Sequence, residues 1–216
     1  MKEMFSNENG ILVVQKVITS IQENRQYLGE IDSKGGGDGD HGINMNKGFT
    51  IAKEEIMVKN IQTMSEGFKV ISNVLVNIIG GSMGPLYGNF FRGLSVASKK
   101  ETIITKEIMG KMLNEGFQNL SILTEAKIGD KTLMDVLIPA VETYQSKVDK
   151  LTFEDCLSAM LESAEKGLKS TKQMPAKIGR ASRIGERSIG HQDAGATSCY
   201  LILKALTESI IQLLKE

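Results

Sequence analysis

A chain of 216 residues, 41% of them hydrophobic, is long enough to bury a sizeable apolar core, and a single domain over 1–216 is the simplest partition. The 26 basic and 26 acidic residues cancel, which leaves no net field to hold a nucleic-acid backbone or an anionic membrane surface. Only Cys156 and Cys199 are present, each among apolar residues at helix-like spacing, which fits buried thiols in a reducing compartment better than a secreted disulfide framework. The opening MKEMFSNENG lacks a basic stretch followed by an apolar one, and no apolar run reaches bilayer length, so a cytoplasmic location without an anchor is expected.

Apolar residues recur at three- and four-residue steps, and convincing period-two alternation bounded by turn residues is absent, so the expected fold is all-α. A first helix carries Val14, Val17, Ile18, Ile21, Leu28 and Ile31 on one stripe, and a second carries Met45, Phe49, Ala52 and Ile56. Ile71, Val74, Leu75 and Ile78 mark a third, and Pro85 suits the first turn of a fourth. Ile108, Met112, Leu113, Phe117 and Leu120 mark a fifth, with Thr105 as its cap. A sixth shows Leu133, Val136, Leu137, Ala140 and Tyr144. A seventh opens with the capping-box pair Thr152 and Asp155, and the last runs through Leu203, Leu206, Ile210 and Leu214.

Glycine and charge concentrate between these helices, in segments 32–42, 80–88, 127–132 and 175–195. Eight short-linked helices suggest an antiparallel bundle or barrel, in which loops at alternate connections gather at one end. Four separated segments could then form one site.

In Asp32-Ser-Lys-Gly-Gly-Gly-Asp38-Gly-Asp40-His41-Gly42, three carboxylates fall within nine residues, interleaved with glycines that let the backbone turn them toward one point. Convergent carboxylates about 4 Å apart repel by roughly 4 kcal/mol at an effective dielectric of 20, so they need a cation or a proton. Oxygen ligands favour magnesium, manganese or calcium, while a solvated turn with its acids pointing apart is an equally good account. The G-x-G-x-x-G pattern at Gly37–Gly42 follows a helix rather than a strand, Phe49 stands where a calcium loop needs glutamate, and there is no Walker A lysine motif.

Gly80-Gly81-Ser82-Met83-Gly84-Pro85 leads into a helix, where free backbone N–H groups would bind an anion, although a tight turn between packed helices needs no more than the glycines. Gly129-Asp130-Lys131-Thr132 precedes another helix, and capping by Asp130 or Thr132 explains it best. From Pro175 to Gly195, Arg180, Arg183, Arg187, His191 and Asp193 stand among glycines. A long loop of this kind suits a lid whose guanidinium groups grip a diphosphate.

Taken together, DSKGGGDGDHGINMNKGF, GGSMGPLYGNFFRG, GDKTLMDVLIPA and GRASRIGERSIGHQDAGATS closely resemble the nucleotide-binding L subunit of phosphotransferase-system-dependent dihydroxyacetone kinase, in order and spacing. The resemblance implies an eight-helix antiparallel barrel with ADP (or ATP) and two magnesium ions at one end. It further implies that the nucleotide stays bound as a coenzyme. A phosphohistidine-carrying M subunit would charge it, and dihydroxyacetone on a K subunit would receive the phosphoryl group.

By that resemblance Asp32, Asp38 and Asp40 are the magnesium ligands; His41, Gly42, Ile43 and Asn44 line the nucleotide; and Ser82 and Met83 face its phosphates. Arg180 contacts the diphosphate in the catalytic role, Asp193, Ala194 and Gly195 close over the nucleotide, and Thr124 and Leu133 border it. His41 and His191 fit nucleotide contacts or supporting roles better than phosphate carriage. Five departures stand out: an extra glycine between Asp32 and Asp38, Met83 in place of a small hydroxyl residue, Ala194 in place of proline, Thr124 in place of glycine, and Arg183 in place of an aromatic. The inserted glycine is the one that could displace Asp32 from the metals. Two other readings remain: a nucleotide-loaded regulatory module, and a kinase subunit using free ATP on another acceptor. Homodimer formation stays open.

Overall fold

A computed structural model describes residues 2–216. Among these described residues nine α-helices follow in chain order: α1 (Ile11–Glu23), α2 (Arg25–Lys34), α3 (His41–Val58), α4 (Met64–Ile78), α5 (Met83–Ser98), α6 (Lys106–Ser121), α7 (Met134–Lys147), α8 (Phe153–Thr171) and α9 (Ala194–Lys215). The all-α expectation holds, and the eight predicted helices are all present, but the first is two. Asn24 leaves helical geometry at φ −96° and ψ 11°, and its side chain donates to the Ser20 carbonyl at 2.8 Å, satisfying an acceptor in the last turn of α1. The apolar stripe therefore does not run straight on: Leu28 is fully buried, whereas Ile31 is half-buried.

A second correction is a two-stranded antiparallel ribbon, β1 (Met4–Ser6) with β2 (Ile103–Thr105), in which Phe5 faces Ile104. Three residues per strand are too few for alternation to be seen in sequence. Segment 175–195, expected to lack structure, contains a 3-10 helix over Arg180–Ser188 that breaks at Gly185, where φ is 50° and ψ −120°.

The helices form a ring. From α3 to α9 each helix packs on the next, and α9 returns to pack on α1, which itself lies against α3 and α4. One apolar cluster fills the interior, with Phe91 at a crossing of α3, α4 and α5, its ring 5.8 Å from Phe49 and 5.6 Å from Phe68. By length and composition α9 could cross a bilayer, which corrects the expectation that no segment could; 67% of its most apolar window is buried in this core instead.

The ribbon closes one end of the ring. Buried Asn7 donates to the Ser98 and Glu101 carbonyls at 3.0 and 2.8 Å and accepts from the Ser65 N–H at 3.1 Å, and the Lys2 N–H reaches the Leu214 carbonyl at 3.0 Å. Threonine caps mark three of the helices that start here: Thr105 accepts from the Ile108 N–H and Thr152 from the Asp155 N–H, both as expected, and Thr63 from the Glu66 N–H; α1 starts at Gly10 without one.

Candidate functional site

At the opposite end, the α2–α3, α4–α5, α6–α7 and α8–α9 connections surround a cavity of about 570 Å³. The last turn of α2 delivers Asp32, whose carboxylate accepts the Gly39 N–H at 2.8 Å and the His41 N–H at 3.4 Å, tying it to the start of α3. Those bonds fold the intervening loop back, so that carboxylate oxygens of Asp32, Asp38 and Asp40 lie within 4.8 Å of one another. The extra glycine does not displace Asp32. Gly36 absorbs the reversal at φ 96°, a conformation that side chains disfavour, and Gly37 lets the Asp32 carboxylate pack on its backbone.

Three convergent acids require positive charge, and the lid supplies some of it. Arg180, at the start of the 3-10 helix, pairs through one guanidinium nitrogen with Asp38 and lies 3.3 Å from Asp40. The three carboxylates offer only hard oxygen donors, a set suited to magnesium, with Arg180 standing where a cation would otherwise be needed.

Behind the acids runs a chain of neutral donors and acceptors. His41 Nε2 is 2.9 Å from the Ser198 hydroxyl, which is 2.7 Å from the Tyr87 hydroxyl, and Tyr87 donates to the Gly195 carbonyl at 2.9 Å. Burial pulls the His41 imidazole down to about 4 against the opposing pull of Asp32, so it is neutral near pH 7. Burial also holds the Tyr87 phenol well above its ordinary value, so it stays a donor. Asp193 caps α9 by accepting the Ala196 N–H at 2.7 Å; burial, against the Ala196 bond and Lys131, raises its carboxyl to about 7.

The α6–α7 turn is held from below by buried Asp135, whose carboxylate accepts the Gly129 N–H at 2.6 Å and the Thr132 N–H at 2.7 Å. Thr132 takes the Met134 N–H at 3.1 Å, so it does serve the start of α7; Asp130 instead accepts the Lys127 N–H at 3.0 Å and caps no helix. Lys131 has φ 61°, a left-handed conformation that costs a non-glycine residue roughly 1–2 kcal/mol.

Residues 36–208 match the DAK2 domain. The chain belongs to the DAK2 family. Among curated relatives of this DAK2 chain, the ADP-binding subunit DhaL of the PEP-dependent dihydroxyacetone kinase of Escherichia coli K12 is 37% identical over 84% of this chain and 86% of that protein. The DhaL subunit of dihydroxyacetone kinase 1 from Listeria innocua is 36% identical over 88% and 89%. The dihydroxyacetone kinase of C. freundii, solved in complex with AMP-PNP and Mg2+, superposes with a TM-score of 0.67 at 22% identity. That match covers 91% of this chain but only 33% of the larger kinase, and it carries the fold.

Of the residues singled out in the sequence, the DAK2 cavity brings together Asp32, Asp38, Asp40, His41, Asn44, Ser82, Met83, Thr124, Leu133, Arg180, Asp193, Ala194 and Gly195. Two do not line it. The Ile43 side chain is 54% exposed on the outer face, beside Gln22 and Gln26. Gly42 is buried in the α2–α3 contact, where a Cβ would lie 2.0 Å from the Arg25 carbonyl oxygen, so glycine is required there by packing. Sequence reasoning passed over Tyr87 and Lys131, both of which line the cavity. Tyr87 follows Met83 by one helical turn, a spacing that could have marked it.

Proposed function

We propose that this DAK2 chain is the ADP-binding subunit of a phosphoenolpyruvate-dependent dihydroxyacetone kinase acting in the cytoplasm. It would hold ADP or ATP with two magnesium ions, so that a phosphoryl group passes from the phosphohistidine of an M subunit to dihydroxyacetone on a K subunit. The observation that carries this reading is the convergence of Asp32, Asp38 and Asp40 under Arg180, at the mouth of a cavity of nucleotide size. The similarity to DhaL subunits over most of both chains supports it.

Asp32, Asp38 and Asp40 would bind the magnesium, which when present neutralises charge on phosphate oxygens. The chain's own contribution is positioning. The α5 N-terminus at Ser82 and Met83 directs backbone N–H groups and the positive end of the helix at an anion. Arg180, freed from Asp38 by a bound metal, can turn its paired donors to a phosphate. Neutral His41, braced by Ser198 and Tyr87, offers a fixed hydrogen-bonding edge beside the acids without adding charge. Such a site works through placement and electrostatics, as phosphoryl transfer demands.

The test is to denature freshly purified protein, identify the released nucleotide by chromatography, and count magnesium in the same sample. Near-stoichiometric ADP with about two magnesium ions per chain is expected for a retained coenzyme. A chain that binds ADP but yields no triose phosphate when mixed with matched M and K subunits would instead be a regulatory module.

A further inference from the structure

We propose that Lys131 is a positioning residue that holds the arginine-bearing lid over the cavity by fastening both of its legs to one buried ammonium. The lid leaves α8 at Lys172, passes through Arg180, and returns to α9 at Asp193. Lys131 Nζ donates to the Met174 carbonyl on the outgoing leg at 3.1 Å. On the returning leg it donates to Ser188 at 2.6 Å and His191 at 2.8 Å. An ammonium has three N–H donors, and all three are used.

The side chain is 2% exposed, so these carbonyls cannot simply exchange lysine for water. Around this point the legs are joined to each other by Gly190 N–H to the Lys172 carbonyl at 2.8 Å and by Ala176 N–H to the Ser188 hydroxyl at 2.8 Å. Among the described residues, only Lys131 and the neighbouring Asp130 tie them to the α6–α7 turn through hydrogen bonds or ion pairs. Asp130 does so on the outgoing leg alone, through its carbonyl to the Lys177 N–H at 3.2 Å and a 3.6 Å ion pair.

The backbone points to the same role independently. At φ 61° glycine would be the relaxed choice, yet the position carries a long charged side chain, held there by the two Asp135 bonds that flank it. Arginine could not replace it, because a planar guanidinium spreads its donors in one plane and cannot aim three at carbonyls grouped around a single atom. Burial pulls the Lys131 ammonium below its ordinary value and nearby Asp193 opposes that pull, which links the clamp to the cap of α9. With the clamp intact, Arg180 is carried to Asp38 and Asp40; without it, three buried carbonyls lose their donor and the legs must part to reach water.

The consequence for nucleotide rests on the proposed function, so the experiment has two arms. The first follows backbone hydrogen exchange in the nucleotide-free protein for wild type, Lys131→Met and Lys131→Gln. Amides of residues 174–191 should lose at least tenfold of their protection in Lys131→Met, and less in Lys131→Gln, which keeps two donors. Core amides of α1 and α4 should be unchanged. Should Lys131→Met fail to fold, Lys131→Gln carries the same comparison. The second arm measures release of ADP in magnesium, expected to be at least tenfold faster in Lys131→Met, while affinity for magnesium alone is unaltered. Lid protection within twofold of wild type in the folded variants, or losses spread equally into α1 and α4, would overturn the clamp. Failure of the wild-type chain to bind ADP would sink the functional reading, and the exchange arm would still decide the clamp.

Discussion

The two ends of the barrel treat their helix termini in opposite ways. At the ribbon end α4, α6 and α8 begin with threonine hydroxyls that cap them, at Thr63, Thr105 and Thr152. At the cavity end α3, α5 and α7 begin at Asp40, Ser82 and Leu133 with no side-chain bond from the capping position. A cap contributes about 1 kcal/mol, so stability is taken at one end and forgone at the other. At α5 this leaves a terminus bearing about half a positive charge at the edge of the cavity, whereas Asp32 accepts the first N–H of α3 and Thr132 that of α7. There are two exceptions: α1 starts at the ribbon end at Gly10 with no side-chain cap, and Asp193 at the start of α9 is a cap that also lines the cavity.

If that division is right, ligands should stabilise the cavity end far more than any single side chain does. ADP with magnesium at a thousandfold excess over Kd should raise the unfolding free energy by about 4 kcal/mol. The double substitution Asp38→Asn with Asp40→Asn should abolish that gain while leaving the unliganded protein at least as stable, since two mutually repelling charges are removed. Urea titrations with and without chelator check both, and a wild-type melting temperature indifferent to chelation would break the comparison. Next in size, Arg180→Met should slow phosphoryl transfer in the reconstituted system by about 10²- to 10³-fold. Its stability should move by less than about 0.5 kcal/mol, because its ion pairs are half exposed.

The caps give a smaller and cleaner contrast. Thr152→Ala should cost about 1 kcal/mol and leave ADP affinity unchanged, whereas Ser82→Ala should leave stability within about 0.5 kcal/mol. Equal losses in the two variants would show that the ends do not differ.

The smallest effect is a pH dependence hidden by cancellation. Asp193 is raised to about 7 when folded, so its contribution to stability is complete below its unfolded value and fades as pH rises through 7. His41 is lowered to about 4, so its contribution is complete above its unfolded value and fades as pH falls through 4. Between roughly pH 4 and 6.5 the two slopes oppose each other. Asp193→Asn keeps a capping oxygen but removes one slope, so metal-free variant should lose stability on acidification more steeply than wild type, as denaturation midpoints across that range would show.

Much of this arrangement was legible in the chain. The stripes on α3 to α9 reflect burial of one face, a local periodicity, and the acid–glycine run betrays convergence because only charge and flexibility occur together there. What could not be read depends on partners distant in sequence. The Lys131 carbonyl partners are 43, 57 and 60 residues away, and in the sequence the lysine appears only as part of a helix-capping turn. The break at Asn24 is a single residue whose side chain competes for a carbonyl, which hydrophobic spacing does not register. Ile43 shows the opposite error. The family resemblance assigns it to the nucleotide together with His41, while the helix turns the two side chains to different faces.

The ring has one more consequence. Because α9 packs on α1 as any consecutive pair does, and Lys2 is hydrogen-bonded to Leu214 at the ribbon end, the helices form a closed cycle in space even though the polypeptide is a line. No seam marks where the circuit is joined. The contacts that shape the cavity would survive if the order of reading were rotated, with residues 2 and 216 linked beside the ribbon and new ends opened in the exposed turn at Lys59 and Asn60, on the side away from the cavity.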